Sequence, residues 1–195
     1  LHDAARLAAA DFQQFRIEAE ALARLDHPNI VTVLDFGIDP ADGGLPYLVM
    51  ELVEGRSLHE VTAGGEPVDL TTAAPWLRQV GDALQHAHAH GVAHGDLTSR
   101  NVVVLAGGER VKVVDFGLVK DLEPSGDATL TRADVIAGTP LYIAPEAITS
   151  PESVGPQSDI YSLGAVGYFA LTGQHVFQGR TLVEVCSHHL HTTPE

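Results

Sequence analysis

Four short motifs follow one another along this chain and constrain its fold more than any other feature. They are His94–Asn101 (HGDLTSRN), Asp115–Gly117 (DFG), Ala144–Glu146 (APE) and Asp159–Gly164 (DIYSLG). Each motif alone is weak evidence, and Asp35–Gly37 repeats the DFG letters at the end of an earlier predicted strand. Four motifs in one order, each on the type of element that its chemistry needs, are hard to produce by chance.

The pattern of apolar residues between the motifs predicts a mixed helix and strand structure. Apolar residues recur at helical spacing from Phe12 to Leu22, and those from Leu77 to Ala87 form one stripe of a longer helix that ends at Gly91. Residues 118–140 lack periodicity and are rich in Asp, Thr, Gly and Pro, which predicts a long functional loop. The other predicted elements are helices at 11–25 and 159–172 and strands at 30–36, 47–52, 101–105 and 111–114.

Charge and cysteine content exclude several classes of function. The formal net charge of −15 argues against a nucleic acid or an anionic membrane as partner, because either would need clustered Lys and Arg. The single cysteine, Cys186, excludes an internal disulfide and is typical of a reducing cytosol, so we expect a cytoplasmic location. The apolar runs fall far below the ~20 residues of a membrane span, so we expect no membrane contact from this segment.

In order and content the four motifs resemble the catalytic loop, metal-binding loop, activation-segment anchor and central helix of the eukaryotic-like protein kinases, notably the bacterial serine/threonine kinases. The resemblance covers nearly the whole chain and implies an α+β fold with two lobes, both partial. Residues 1–50 would hold the small lobe from helix C to the gatekeeper, and residues 51–195 the hinge and the helical lobe to about helix G. The resemblance also implies ATP and Mg²⁺ as cofactors and a protein Ser or Thr hydroxyl as acceptor.

The resemblance assigns chemical roles to residues of the two acidic loops. Phosphoryl transfer requires the protein mainly to position charges. Asp96 would orient the acceptor hydroxyl, and Asn101 and Asp115 would supply oxygen ligands to Mg²⁺ on the phosphates. The plain alternative, that both aspartates are ordinary turn residues, does not account for the ordered set of motifs.

Further positions match the nucleotide site of these kinases. Glu18 matches the helix-C glutamate that pairs with the ATP-binding lysine, and Met50 matches the gatekeeper. Residues Glu51–Val53 match the hinge, whose backbone hydrogen-bonds adenine. Val103 and Val114 would pack against the adenine ring, although a role as ordinary core strand residues is almost equally good for them.

The residues between Asp115 and Glu146 resemble an activation segment. Gly138–Tyr142 is similar to the P+1 loop of serine/threonine kinases, in which Thr139 would help to set the acceptor site. Thr131 lies where bacterial relatives are commonly phosphorylated. Glu146 is the glutamate of the APE motif, which in the family pairs with an arginine of a later helix.

The chain departs from the family pattern within the catalytic loop. Gly95 replaces the arginine that normally receives the activation-loop phosphate, and Thr98 replaces the lysine that steadies the γ-phosphate. Arg100, four residues after Asp96, offers a substitute cation at a spacing seen in tyrosine kinases.

The Gly-rich loop, the ATP-binding lysine and the later helices of the family are not found in the chain. We therefore expect a domain truncated at both ends, catalytically inactive as it stands. Glu18 and Glu146 would then be left without their usual charged partners.

Two other functions compete with the kinase interpretation. Aminoglycoside and choline phosphotransferases use a similar His-Gly-Asp loop on a related fold, but they lack the activation segment and the DIYSLG helix start. A pseudokinase scaffold, which would keep the fold without the chemistry, is the non-enzymatic alternative.

Overall fold

The described residues form five strands, all in the first two thirds of the chain, and helices that include three after the last strand. The computed structural model describes residues 9–39, 45–62, 65–116 and 140–194. The helices are α1 (Ala9–Ala23), α2 (Leu58–Val61), α3 (Leu70–Ala89), α4 (Pro145–Thr149), α5 (Pro156–Thr172) and α6 (Leu182–His191), with single 3₁₀ turns at Pro140–Tyr142 and Pro151–Ser153. The strands are β1 (Val33–Asp39), β2 (Leu45–Met50), β3 (Gly55–Ser57), β4 (Val102–Leu105) and β5 (Val111–Val113). The predicted α+β class is confirmed.

The strands form two separate antiparallel sheets. One is the hairpin β1–β2, with Phe36 opposite Leu48. Helix α1, whose Phe15 and Ala19 are buried, packs against this hairpin. The other has the order β3–β4–β5, with Val103 opposite Lys112. Asp35–Gly37, the second DFG sequence, lies within β1 and is paired with β2, so it is not part of a loop.

Two long helices, α3 and α5, pack against each other to form the centre of the helical part. The apolar stripe predicted for α3 is buried, and Val80 and Leu84 are completely covered. On α5, Gly167 permits the close approach, because a Cβ there would lie 3.2 Å from the Leu77 side chain. The same α3 also packs against β5, so one helix supports both the sheet and α5.

The predicted strand at 30–36 is wrong in its first half. Ile30 and Val31 do not belong to the hairpin; Ile30 forms a parallel bridge with Val113, and the Val31 N–H donates to the Val113 carbonyl at 3.0 Å. The reason is burial, since Asn29, Ile30 and Val31 are 7, 2 and 6 % exposed and cover the edge of β5. The strand of the hairpin begins only at Val33.

Other element boundaries shift by a few residues. The first helix ends at Ala23 rather than 25, because the Leu25 N–H donates to the Leu22 carbonyl in a tighter terminal turn. The second strand ends at Met50 rather than at residue 52, and Leu52 is 87 % exposed. The long helix ends at Ala89, just before Gly91 with φ of 76°.

Asn29 gives a test of how the 29–31 segment is held. Its Nδ2 donates to the Val111 carbonyl and to Gln79 Oε1, both at 2.8 Å. Asn29→Leu removes both donors and leaves a buried carbonyl without its partner, so we expect a loss of about 1–3 kcal/mol in the free energy of unfolding, measured by urea denaturation.

Gln85→Ala, on the exposed face of α3, is the matched control and should change stability by less than about 0.5 kcal/mol. Equal stability of Asn29→Leu and the control would show that the segment is held by apolar packing alone.

Candidate active site

The loop that carries Asp96 is fixed by one buried carboxylate on α5. Asp159 is 1 % exposed; its Oδ2 accepts the His94 N–H and its Oδ1 accepts the Gly95 N–H, both at 2.8 Å. His88 of α3 contacts the same Oδ2 through Nε2 at 2.7 Å. Asp159 therefore anchors the backbone just before Asp96, and His88 is a further partner of this carboxylate that the sequence analysis did not find.

His94 extends the anchor towards the end of β5. Its side chain is 1 % exposed, and burial lowers the pKa of its imidazole, so the ring is neutral. In the neutral form that fits both contacts, Nε2–H donates to the Val114 carbonyl at 3.0 Å and Nδ1 accepts the Asp96 N–H at 3.3 Å. His94 thus ties the backbone before Asp96 to the backbone before Asp115.

Asp96 itself is exposed, between the anchored backbone and the fully buried Leu97. Gly95, which replaces the family's arginine, has φ of 74°, a conformation that costs other residues about 1–2 kcal/mol. Glycine adopts this conformation without that cost, so Gly95 suits the course of the loop just before Asp96.

Asn101 and Asp115 lie at the same end of the β4–β5 pair. The Val114 N–H donates to the Asn101 carbonyl at 2.9 Å, which continues the β-ladder one step beyond the Val102–Val113 pair. Asp115 follows directly, is exposed and has φ of 56°; it is the one non-glycine residue with positive φ within the described residues. Such a conformation is uncommon and concentrates at functional positions.

The oxygen set at this end fits a magnesium ion. Asp115 presents an exposed carboxylate, and Asn101 is half-buried with an amide oxygen that has two lone pairs. The Thr98 hydroxyl donates to Asn101 Oδ1 and uses one of the two. Carboxylate and amide oxygens are the ligands that hard divalent cations prefer. The sequence analysis noted Thr98 only because it replaces a lysine of the family pattern. In the structure its hydroxyl holds a candidate metal ligand in place.

The residues predicted for the nucleotide come from two places, one face of the β3–β4–β5 sheet and the chain at the end of β2. Val103 and Val114 are half-buried, whereas Val102, Val104 and Val113 alternate with them and face the core. Met50 ends β2 and is 37 % exposed. The Glu51 N–H donates to the Thr32 carbonyl at 2.9 Å, and Val53 is half-buried in the following segment.

Glu18 and Glu146, which are expected to lack their usual charged partners, both interact with other groups. Glu146 Oε1 accepts the Ser158 hydroxyl at 2.7 Å, which joins α4 to the first turn of α5. Glu18 is half-buried on α1 and is also engaged by neighbours. The partner of Glu146 is thus a neutral hydroxyl, and the expectation that both glutamates lack their usual charged partners stays a prediction. Thr131 and Thr139 lie outside the described residues.

Arg100 lines a cavity of about 190 Å³ beside the loop. Its guanidinium contacts His59 Nε2 of α2 at 3.2 Å, and the other lining residues are Thr98, Ser99, Leu141, Tyr142 and His175. Two of the lining residues are hydrogen-bonded to each other, since the Tyr142 hydroxyl and Ser99 Oγ are 2.8 Å apart. Burial raises the pKa of Tyr142, so the phenol stays protonated. A role of Arg100 at the γ-phosphate stays a prediction.

Lys112 is the main residue of the site that the sequence analysis missed. Its Nζ lies 2.5 Å from Glu51 Oε1 and 3.1 Å from the Ile30 carbonyl. The signal was available, because a lysine between two buried valines of a short strand must direct its charge to a specific partner or to solvent.

Comparison with known proteins agrees with this geometry. The family model described as "Protein kinase domain" matches residues 3–194. PknA of Mycobacterium tuberculosis, a serine/threonine-protein kinase, is 39 % identical over 184 residues, covering 93 % of this chain and 42 % of that protein. The serine/threonine-protein kinase pkn2 of Myxococcus xanthus is 34 % identical over 196 residues, covering 100 % of this chain and 23 % of that protein. The chain thus spans less than half the length of these curated relatives.

A solved structure shares the fold. The crystal structure of Rad53 residues 1–466 in complex with AMP-PNP superposes with a TM-score of 0.71 at 30 % sequence identity, covering 89 % of this chain and 41 % of that one. Within the described residues, no helix combines the length and apolar character needed to cross a bilayer.

The Asp159 anchor can be tested by one isosteric change. Asp159→Asn leaves a single acceptor oxygen for two backbone N–H donors and turns an amide N–H towards one of them. Hydrogen bonds to a charged group contribute about 1.5–3 kcal/mol, so we expect a loss of that size in the free energy of unfolding, measured by urea denaturation. Glu152→Gln, at an exposed position just before α5, is the control. An Asp159→Asn protein as stable as the control would contradict the anchor.

Proposed function

The chain belongs to the protein kinase domain family, and from that premise we propose that it transfers the γ-phosphate of ATP to serine or threonine hydroxyls of a protein substrate. One observation carries the proposal: the backbone positions of Asp96, Asn101 and Asp115 are fixed by hydrogen bonds. Asp159 accepts the N–H groups of the two residues before Asp96, and the Val114 N–H, just before Asp115, donates to the Asn101 carbonyl. Relatives that are named serine/threonine-protein kinases support the acceptor class.

In the proposed reaction Asp96 acts on the acceptor hydroxyl. Its carboxylate accepts the hydroxyl hydrogen bond and directs the oxygen towards the γ-phosphorus. As the new O–P bond forms, the bond from the γ-phosphorus to the bridging oxygen breaks, ADP leaves, and the hydroxyl proton passes to the carboxylate or to solvent. Asp96 is exposed and therefore accessible to a protein substrate.

The chain's oxygen ligands and hinge would hold the nucleotide. Asn101 and Asp115 would bind Mg²⁺, which when bound neutralises charge on the phosphates. The backbone of Glu51–Val53 would hydrogen-bond the adenine edge, with Met50 as gatekeeper and Val103 and Val114 on the ring faces. Glu18 would serve the phosphate-binding lysine of a complete small lobe.

We also propose the bounds of the two lobes and a cytoplasmic location. Residues 1–50 form the part of the small lobe from helix C to the gatekeeper, and residues 51–195 the hinge and helical lobe. A cytoplasmic location is supported by the single cysteine and by dependence on ATP.

The two competing functions have less support. The family match extends through Ala144–Glu146 and α5, which are the parts that aminoglycoside and choline phosphotransferases lack. A pseudokinase has no need for Asp96, Asn101 and Asp115 together, and all three are present here.

Asp96 and Asp115 should fail in different ways. In the full-length protein, Asp96→Asn should lower kcat by about 10²–10⁴ with nucleotide affinity unchanged, because general acid–base catalysis contributes a factor of that size. Asp115→Asn should weaken binding of the magnesium nucleotide, measured by calorimetry. Asp35→Asn, in the second DFG sequence within β1, is the matched control and should change neither. Wild-type turnover by Asp96→Asn would rule out the proposed chemistry.

The acceptor class should follow the activation segment rather than Arg100. The P+1 loop forms the shelf on which the acceptor residue rests, whereas a cation near the γ-phosphate does not distinguish a short hydroxyl from a phenol. We expect phosphoserine and phosphothreonine on a mixed protein substrate, and Arg100→Ala should slow transfer to every substrate alike. Phosphoamino-acid analysis is the measurement, and predominant phosphotyrosine would contradict the assignment.

A further inference from the structure

We propose that Lys112 is a positioning residue for the nucleotide, because it fixes the first residue of the hinge, Glu51, against the 30–32 segment. The inference rests on the proposed function, since it concerns how the same site binds ATP. Lys112 need not touch the nucleotide; it acts through Glu51 on the backbone that follows.

The contacts form a closed set between three distant parts of the chain. Lys112 Nζ binds Glu51 Oε1 at 2.5 Å and the Ile30 carbonyl at 3.1 Å. The same Glu51 oxygen accepts the Thr32 N–H at 2.8 Å, and the Glu51 N–H donates to the Thr32 carbonyl at 2.9 Å. Glu51 is therefore held through both its side chain and its backbone. We call this set of Ile30, Thr32, Glu51 and Lys112 the hinge clamp.

The environment of the hinge clamp distinguishes it from an ordinary surface ion pair. The Lys112 and Glu51 side chains are 15 and 31 % exposed, whereas the Arg16–Glu20 pair on α1 is 52 and 42 % exposed with a separation of 3.3 Å. The hydrogen bond from Lys112 is the largest cause that lowers the pKa of Glu51, followed in the same direction by Thr32. The carboxylate therefore stays ionised at neutral pH, and the pair is held by several hydrogen bonds rather than by charge alone.

The position of Lys112 on the sheet connects the clamp to the nucleotide face. Lys112 lies directly opposite Val103 in the β4–β5 register, and cross-strand partners share one face of a sheet. Val114, two residues further on, lies on that face as well. Val103 and Val114 are the residues proposed for the adenine ring, so one side chain joins the ring-packing face to the hinge that would hydrogen-bond its edge.

A hinge that recognises adenine by backbone hydrogen bonds must be placed accurately. A binding constellation works only when it is held within about 0.5 Å of its productive geometry by supporting hydrogen bonds. Leu52 cannot supply that support, since its side chain is 87 % exposed. The hinge clamp supplies it one residue earlier, at Glu51.

The test separates nucleotide binding from turnover in the full-length protein. Lys112→Met keeps the aliphatic stem and removes the charge, and we expect it to raise both the calorimetric Kd for Mg-ADP and the KM for ATP about tenfold through misplacement of the hinge. The kcat at saturating ATP and the KM for the protein substrate should stay within about twofold, because the Asp96 loop is anchored separately by Asp159. Lys112→Arg should restore wild-type affinity, since it keeps the donor and charge.

Further variants test whether Lys112 acts through Glu51. Glu51→Gln should raise Kd like Lys112→Met, and the double variant should be no worse than either single one, because both changes break the same contact. Arg16→Met, which breaks the exposed pair on α1, is the control and should leave Kd unchanged. Additive effects of the two clamp variants would overturn the proposal.

A readout without nucleotide tests the clamp directly. Amide exchange of Glu51 and Thr32, measured by NMR, should speed up by about fivefold or more in Lys112→Met through local opening. The stability difference between wild type and Lys112→Met should be present above the ordinary carboxyl pKa of 4.5 and disappear as pH falls through the lower folded-state pKa of Glu51. A lower melting temperature with unchanged Kd and unchanged amide exchange would show a merely structural lysine.

Failure of this inference and failure of the proposed function give different results. Wild-type protein that binds Mg-ADP but transfers no phosphate refutes the proposed function, and the Kd series still decides the role of Lys112. Wild-type protein that binds no adenine nucleotide refutes both. Phosphotransfer with Lys112→Met equal to wild type in Kd and in KM for ATP refutes only the clamp.

Discussion

The active-site geometry depends on a single carboxylate buried in the helical core. A buried charge is expensive unless it is fully hydrogen-bonded, and Asp159 meets that condition with two backbone N–H donors and the His88 ring. The donors belong to the residues just before Asp96, so the cost of burying the charge is offset only when that loop has its observed course. His94 then passes the constraint to the end of β5. The helical core and the candidate active site are therefore stabilised by the same contacts.

The 29–32 segment has a similar role between the two sheets. Its first half adds to the edge of β5, through the Val31–Val113 and Asn29–Val113 backbone hydrogen bonds, while Thr32 pairs with Glu51 at the end of the hairpin. One short extended segment thus belongs to both sheets in succession. The relation between the hairpin and the three-stranded sheet is set by hydrogen bonds here and does not depend only on apolar contact.

The long elements could be predicted from the sequence because each carries a complete periodic signal. The buried stripe of α3 and the nearly all-apolar α5 fall in this class, and the four motifs located Asp96, Asn101 and Asp115 on their loops. Ile30 and Val31 were misplaced because a short apolar run fits either sheet edge equally well. The sequence analysis considered Thr98 only as the replacement of a lysine and Glu146 only as the partner of an arginine. Their hydrogen bonds to Asn101 and Ser158 were therefore not predicted. The sequence shows that Lys112, between two buried valines, needs a partner or solvent, but it could not identify that partner, since Ile30 and Glu51 are distant in sequence.

The left-handed backbone at Asp115 restricts how this position can change over evolutionary time. Aspartate and asparagine are among the few non-glycine residues that adopt such a conformation readily, so most replacements at Asp115 would disturb the main chain as well as remove the carboxylate proposed to bind Mg²⁺. Asparagine keeps the backbone and loses the charge, and glycine keeps the backbone and loses the side chain. A homologue that has abandoned phosphoryl transfer would therefore be expected to drift at Asp115 first towards these two residues, and their appearance would mark lost chemistry in an otherwise intact domain.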